Sequence, residues 1–163
     1  MNRIYSTSLF TVDVRHGRRD THLVLDFFVP KIYTSEIPNT MPVLKRLLPS
    51  IYKSQCFNEG NLTFREEVKD TEIGHLFEHI LLEFLCITKL KRGFDCSEYS
   101  GVTNWNWKKE RKGKFHVKID LGIGDCEIFK EAVEKSISLM NLILMGSMDT
   151  TYETNTVPAV AGT

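Results

Sequence analysis

TEIGHLFEHILLEFLCITKL, residues 71–90, is the stretch that decides how the rest of the chain is read. Ile73, Phe77, Ile80, Phe84 and Ile87 recur at three- and four-residue intervals, which predicts a helix with one apolar face. Asp70 or Thr71 can cap its first turn, and Gly93 can end it. Glu72, His75, His79, Glu83 and Cys86 fall into a polar stripe on the opposite side. A helix this apolar must bury that face against another layer, and the flanking sequence supplies one.

Upstream, residues 3–14 and 21–29 are rich in β-branched and aromatic residues and flank a polar break at His16–Asp20, so they read as a hairpin. Pro38 and Pro42 bracket the entry to a short helix, VLKRLL (43–48), which stops at Pro49. Downstream, VTNWNWK (102–108) and KFHVKIDL (114–121) read as two strands joined by a charged turn. A last helix is expected over roughly 125–145, capped by Asp125 and stopped by Gly146. The expected fold class is α+β: an antiparallel sheet with about three helices packed on one face. It forms a single domain over residues 1–146, and the aperiodic stretch 147–163 reads as a flexible tail.

Bulk properties exclude some classes of function. With 21 basic and 21 acidic side chains in 163 residues, the chain lacks the basic excess of a general nucleic-acid or anionic-membrane binder. No apolar run is long enough to cross a bilayer, and the N-terminal residues lack the layout of a signal peptide. The expectation is a cytoplasmic protein with no nucleic-acid or membrane partner; a homo-oligomer is left open. The four cysteines, at 56, 86, 96 and 126, lack the close pairs of a zinc ribbon or redox motif. In a reducing compartment the default for each is a buried thiol, with metal ligation the exception.

The chemistry lies in the polar stripe of the long helix. Histidines four residues apart stand one turn above each other, so His75 and His79 can both reach one ion. Glu78 projects to one flank of that pair, where it can act as general acid and base for a hydrolysis. HxxEH is the reversed counterpart of the HExxH zinc motif. A catalytic zinc needs a third protein ligand. Glu83 continues the stripe but sits six residues beyond the metal level, roughly 9 Å along the axis, and fits better as a residue orienting His79. Cys56, 19 residues before His75, is the better third ligand; a thiolate suits zinc and lowers the charge of the site. The choice between Cys56 and Glu83 stays open at this level. His116, on the polar face of its strand, and Glu131 and Glu134, on the last helix, are not expected to be ligands.

The stretch from Leu48 to Leu85 resembles the N-terminal domain of cyanophycin synthetase. The residues that carry the resemblance are Leu48-Pro49, Cys56, Phe64, Thr71, and Gly74-His75 through Glu78-His79 to Leu82-Glu83. Looser similarity extends over about residues 20–145. The resemblance implies an α+β domain that some synthetases use as a metallopeptidase on an aspartate–arginine polymer. It makes His75 and His79 zinc ligands, Glu78 the acid/base and Cys56 the third ligand. The ATP-dependent domains of the synthetase are absent from this sequence. Two other HxxEH families fit less well: pitrilysin-type proteases are far longer chains, and S-ribosylhomocysteine lyase shares the His-His-Cys ligand set but not the surrounding sequence.

Departures from the family pattern surround the metal ligands. Leu62-Thr63 stands where the family has Gly-Gly, the Cys56–His75 segment is one residue shorter, GFDCSE (93–98) replaces an arginine-bearing stretch, and an arginine near Glu67 is missing. The expectation is a zinc-dependent hydrolase with one catalytic Zn2+, cleaving a peptide or isopeptide bond, including cyanophycin-like Asp/Arg peptides. The alternative is a non-catalytic module that keeps the fold to bind a peptide or a partner.

Overall fold

The computed structural model describes residues 2–56, 60–95 and 99–153, the last seven by their backbone alone. Among these residues five strands run β1 (Arg3–Ser6), β2 (Phe10–His16), β3 (Thr21–Phe27), β4 (Ser100–Asn104) and β5 (Lys114–Asp120). They form one antiparallel sheet in the order β1-β2-β3-β5-β4. The helices are α1 (Thr40–Leu47), the single turn α2 (Phe64–Glu67), α3 (Ile73–Lys91) and α4 (Cys126–Glu153). The α+β expectation holds, with three of the helices longer than one turn.

One face of the sheet is apolar and covered. Phe10, Val12 and Val14 of β2, Leu23, Leu25 and Phe27 of β3, and Phe115, Val117 and Ile119 of β5 alternate inward and are buried. Phe77 of α3 meets this face edge-on at Phe10, their ring centres 6.3 Å apart, and Phe10 in turn stacks on Phe27 at 5.1 Å. At Gly74 the helix backbone lies so close to the Phe115 ring that a Cβ there would overlap it. These contacts press α3 onto β5 and β4, and α4 packs along α3.

Several local expectations need correcting. The stretch 3–14 is two strands, because Thr7 makes a turn: its hydroxyl accepts from the amides of Leu9 and Phe10 at 3.1 and 3.0 Å. The short helix starts at Thr40, with Pro42 inside the first turn, where a missing N–H costs nothing. β4 ends at Asn104, so Trp105 and Trp107 lie in the connection to β5, their rings 5.7 and 5.5 Å from Phe115. Gly146 does not stop α4, which continues to Glu153. Its missing side chain leaves room instead for Asn39 at the start of α1. Residues 154–163 of the expected tail lie outside the described residues.

The cysteines also depart from the default of buried thiols. Among the described residues only Cys56 meets it; Cys126 is exposed and Cys86 is disulfide-bonded. Cys96 lies outside the described residues. The reducing compartment assumed for the buried-thiol default gains no support from them. Among the described residues, no helix is long and apolar enough to cross a membrane.

Candidate functional site

Helix α3 starts where it does because the chain before it is pinned. Ile73 and Thr34 donate backbone hydrogen bonds to Ile32 and Thr71, both 2.8 Å, and the Thr71 amide donates to the Thr34 hydroxyl at 2.9 Å. Neither Asp70 nor Thr71 caps the helix: Asp70 accepts from Ser35 at 2.7 Å. The Thr71 hydroxyl turns toward His75 Nδ1, 2.8 Å away.

Cys56 reaches the same helix through a small hairpin. Cys56 donates its amide to Leu62 at 3.3 Å, Phe64 donates to Ser54 at 3.1 Å, and Gln55 bridges to Thr63. Asn61 takes a φ of 50°, in the left-handed region that asparagine tolerates, and helps turn the chain back. This return lays Cys56 over α3 and brings Phe64 flat against His79, ring centres 4.1 Å apart.

The result is a tight cluster. Cys56 Sγ lies 3.4 Å from His75 Nε2, and His79 Nε2 lies 3.1 Å from the same atom. One ligand atom from each of Cys56, His75 and His79 falls within 4.8 Å of the others. A tetrahedral zinc with Zn–N of about 2.0–2.1 Å and Zn–S of about 2.3 Å holds its nitrogens roughly 3.3 Å apart and a nitrogen and sulfur roughly 3.6 Å apart. The spacings on His75 match this closely, so the donor set fits a metal ion.

Protonation favours the same use. Burial lowers the pKa of both imidazoles; His79 falls to about 3, with His75 beside it adding to the effect. Both rings are therefore neutral near pH 7, as ligands must be. The single proton of the Thr71 hydroxyl is directed to Glu72 Oε2 at 3.3 Å, so the hydroxyl accepts from His75 Nδ1–H. That bond fixes the tautomer and leaves the Nε2 lone pair facing the cluster.

Glu78 is buried and lines the same cavity of about 400 Å³, together with Gln55, Leu82 and residues 99–103 of the β4 segment. Its Oε2 accepts a hydrogen bond from the Thr103 hydroxyl. Burial raises the carboxyl to about 7, against the opposing pull of that hydrogen bond. On its other side stands Gly101, where a Cβ would come within 3.0 Å of Glu78 Oε1 and 2.8 Å of Ile119. A glutamate poised near neutrality can take and return a proton.

The structure thus brings four of the expected residues together: Cys56, His75, His79 and Glu78. Glu83 is half-exposed and, among the described residues, forms no hydrogen bond with His79; Phe64 packs against that ring instead. His116 bonds Glu110 at 2.7 Å, away from the cluster, and Glu131 and Glu134 pair with surface cations. The roles of Thr71, Thr103 and Gly101 go beyond what spacing in the sequence reveals. Thr71 carried a signal as part of the family pattern, but Thr103 and Gly101 reach Glu78 only through folding.

The site and fold together define an α+β domain with a helix-borne Cys-His-His cluster able to hold a metal ion. The profile of the cyanophycin synthase-like N-terminal domain matches residues 22–117, more than half of the chain. The chain belongs to that family. Among curated proteins none matches at a significant level.

Proposed function

We propose that this domain is a zinc-dependent hydrolase acting on a peptide or isopeptide bond. The observation that carries the reading is the spacing of Cys56 Sγ, His75 Nε2 and His79 Nε2, all beside one buried carboxyl in one cavity. Cys56, His75 and His79 are the residues to hold the ion. When bound, zinc supplies Lewis acidity toward a carbonyl and toward water.

The protein's own groups do the rest. Thr103 occupies Glu78 Oε2, which leaves Oε1 to take a proton from water and return it to the leaving nitrogen. A nearby dication favours the ionised form, drawing Glu78 from its raised value toward the base it must be at the start. Thr71 and Phe64 hold the two imidazoles in orientation. The departures near the site, including exposed Leu62 and Thr63 in place of the family's glycines, bear on substrate rather than on the ligands. Asp/Arg peptides are accordingly one substrate class to test among several.

Glu78→Gln should retain metal and lose hydrolysis by about 10²–10⁴-fold, the usual contribution of a positioned acid/base. The probes are a panel of dipeptides and cyanophycin-like segments, scored separately for binding and cleavage. Binding without turnover at every pH contradicts the hydrolase and supports the non-catalytic module.

A further inference from the structure

Among the described residues β4 is an edge strand, and its residues Ser100–Thr103 line the cavity. The phase of the backbone hydrogen bonds decides which of its residues are available there. Phe27 donates to Gly113 at 3.0 Å, which continues the β3–β5 register outward by one pair and makes that pair a hydrogen-bonded one. In an antiparallel ladder such pairs alternate. Phe115, Val117 and Ile119 therefore bond to β3, and His116, Lys118 and Asp120 bond to β4 through Asn104, Val102 and Ser100. Gly101 and Thr103 are left with their N–H and C=O groups turned away from the sheet. Among the described residues neither has a backbone partner on that side.

From this phase and position we infer that the substrate is an extended α-peptide whose main chain adds to β4 as a sixth strand, bonding Gly101 and Thr103. The inference rests on the hydrolase reading and narrows its substrate class. Gly101 and Thr103 recur two residues apart, about 6.6–6.8 Å, the repeat at which an extended peptide presents its own amides and carbonyls. An added strand lies about 4.8 Å from β4, inside the cavity that also holds Glu78 and the Cys-His-His cluster. The two residues that offer backbone outward also touch Glu78: Thr103 through its hydroxyl, and Gly101 through the absence of a side chain. The same strand thus sets the carboxyl and aligns the chain to be cut. Alternate side chains of the peptide face the α3 side and the solvent side, because β4 already exposes Ser100, Val102 and Asn104 on the outer face. Selectivity then falls on every second residue, a pattern of strand addition.

Amide hydrogen exchange by NMR on the full chain tests this. The probe is a capped polyalanine peptide with a terminal lysine for solubility. Without the probe, Gly101 and Thr103 amides should exchange fast, and those of Val102 and Asn104 slowly. Saturating probe should slow Gly101 and Thr103 by about tenfold or more. N-methylation of every second probe residue should leave binding unchanged, because an alanine chain can shift by one residue, whereas N-methylation of every residue should weaken it about five- to tenfold per lost bond. Unchanged exchange at Gly101 and Thr103, or insensitivity to methylation of every probe residue, overturns the inference. So does protection that grows with protein concentration without probe, which would assign the edge to a second copy. Zinc content and cleavage are read separately: protection in a protein that neither takes zinc nor cleaves would sink the hydrolase and leave strand addition standing.

Discussion

Thr71 shows how one residue can be read correctly for position and wrongly for role. Its place before the helix predicts a cap, yet its hydroxyl accepts from His75 and donates to Glu72. Thr71→Val should therefore weaken zinc affinity by about 10–100-fold, the usual effect of losing an outer partner, while leaving the circular dichroism spectrum unchanged. Equal zinc affinity in variant and wild type would remove Thr71 from the site. Glu78 makes a prediction for pH. Its folded pKa of about 7 lies above the ordinary 4.5, so the buried carboxyl costs nothing below pH 4.5 and its full penalty above pH 7. That difference corresponds to about 3 kcal/mol. Chelator-treated wild type should lose up to this much stability relative to Glu78→Gln as pH rises through the window. Parallel urea midpoints at pH 4 and pH 8 would contradict it.

At the scale of elements, the centre depends on how β4 is held beside α3. Tyr99, just before the strand, donates to Asp125 Oδ2 at 2.7 Å, and Lys89 of α3 pairs with the same oxygen at 3.3 Å while lying 5.2 Å from the Tyr99 ring. Asp125 also accepts from the Phe129 amide at 2.8 Å through its carbonyl, at the start of α4. Three elements thus meet at one buried carboxylate. Tyr99→Phe leaves that carboxylate a partner short and should cost about 1–3 kcal/mol by thermal or urea unfolding, with zinc retained. Gly101→Ala probes the other end: it pushes on Glu78 and should lower turnover more than zinc content. Loss of both in equal proportion would indicate general unfolding instead.

Across the whole molecule, the legible parts of the sequence are those governed by a local period. The HxxEH pair follows from helical spacing, and the alternation in KFHVKIDL fixes β5 and its buried face; the buried side of α3 is wider than the expected stripe, taking in Leu76, Leu81 and Leu85 while Phe84 and Ile87 stay half-buried. Features that depend on tertiary approach were not legible. Gly146 looked like a stop and is a point of close contact with Asn39. Thr103 and Gly101 come from a strand 25 and 23 residues after Glu78, and no spacing rule joins them to it. Cys56 was nameable from donor chemistry, but only the hairpin at 54–64 shows how it reaches His75.

The proposed function requires that Cys56, His75 and His79 hold one metal ion. The direct measurement is zinc stoichiometry, by elemental analysis, of wild type and single variants purified without added metal. One zinc per chain is the prediction for wild type and for Glu83→Ala and Glu78→Gln, with zinc lost in Cys56→Ser, His75→Ala and His79→Ala. A wild type without stoichiometric metal, or a Cys56→Ser variant that keeps it while Glu83→Ala does not, contradicts the account.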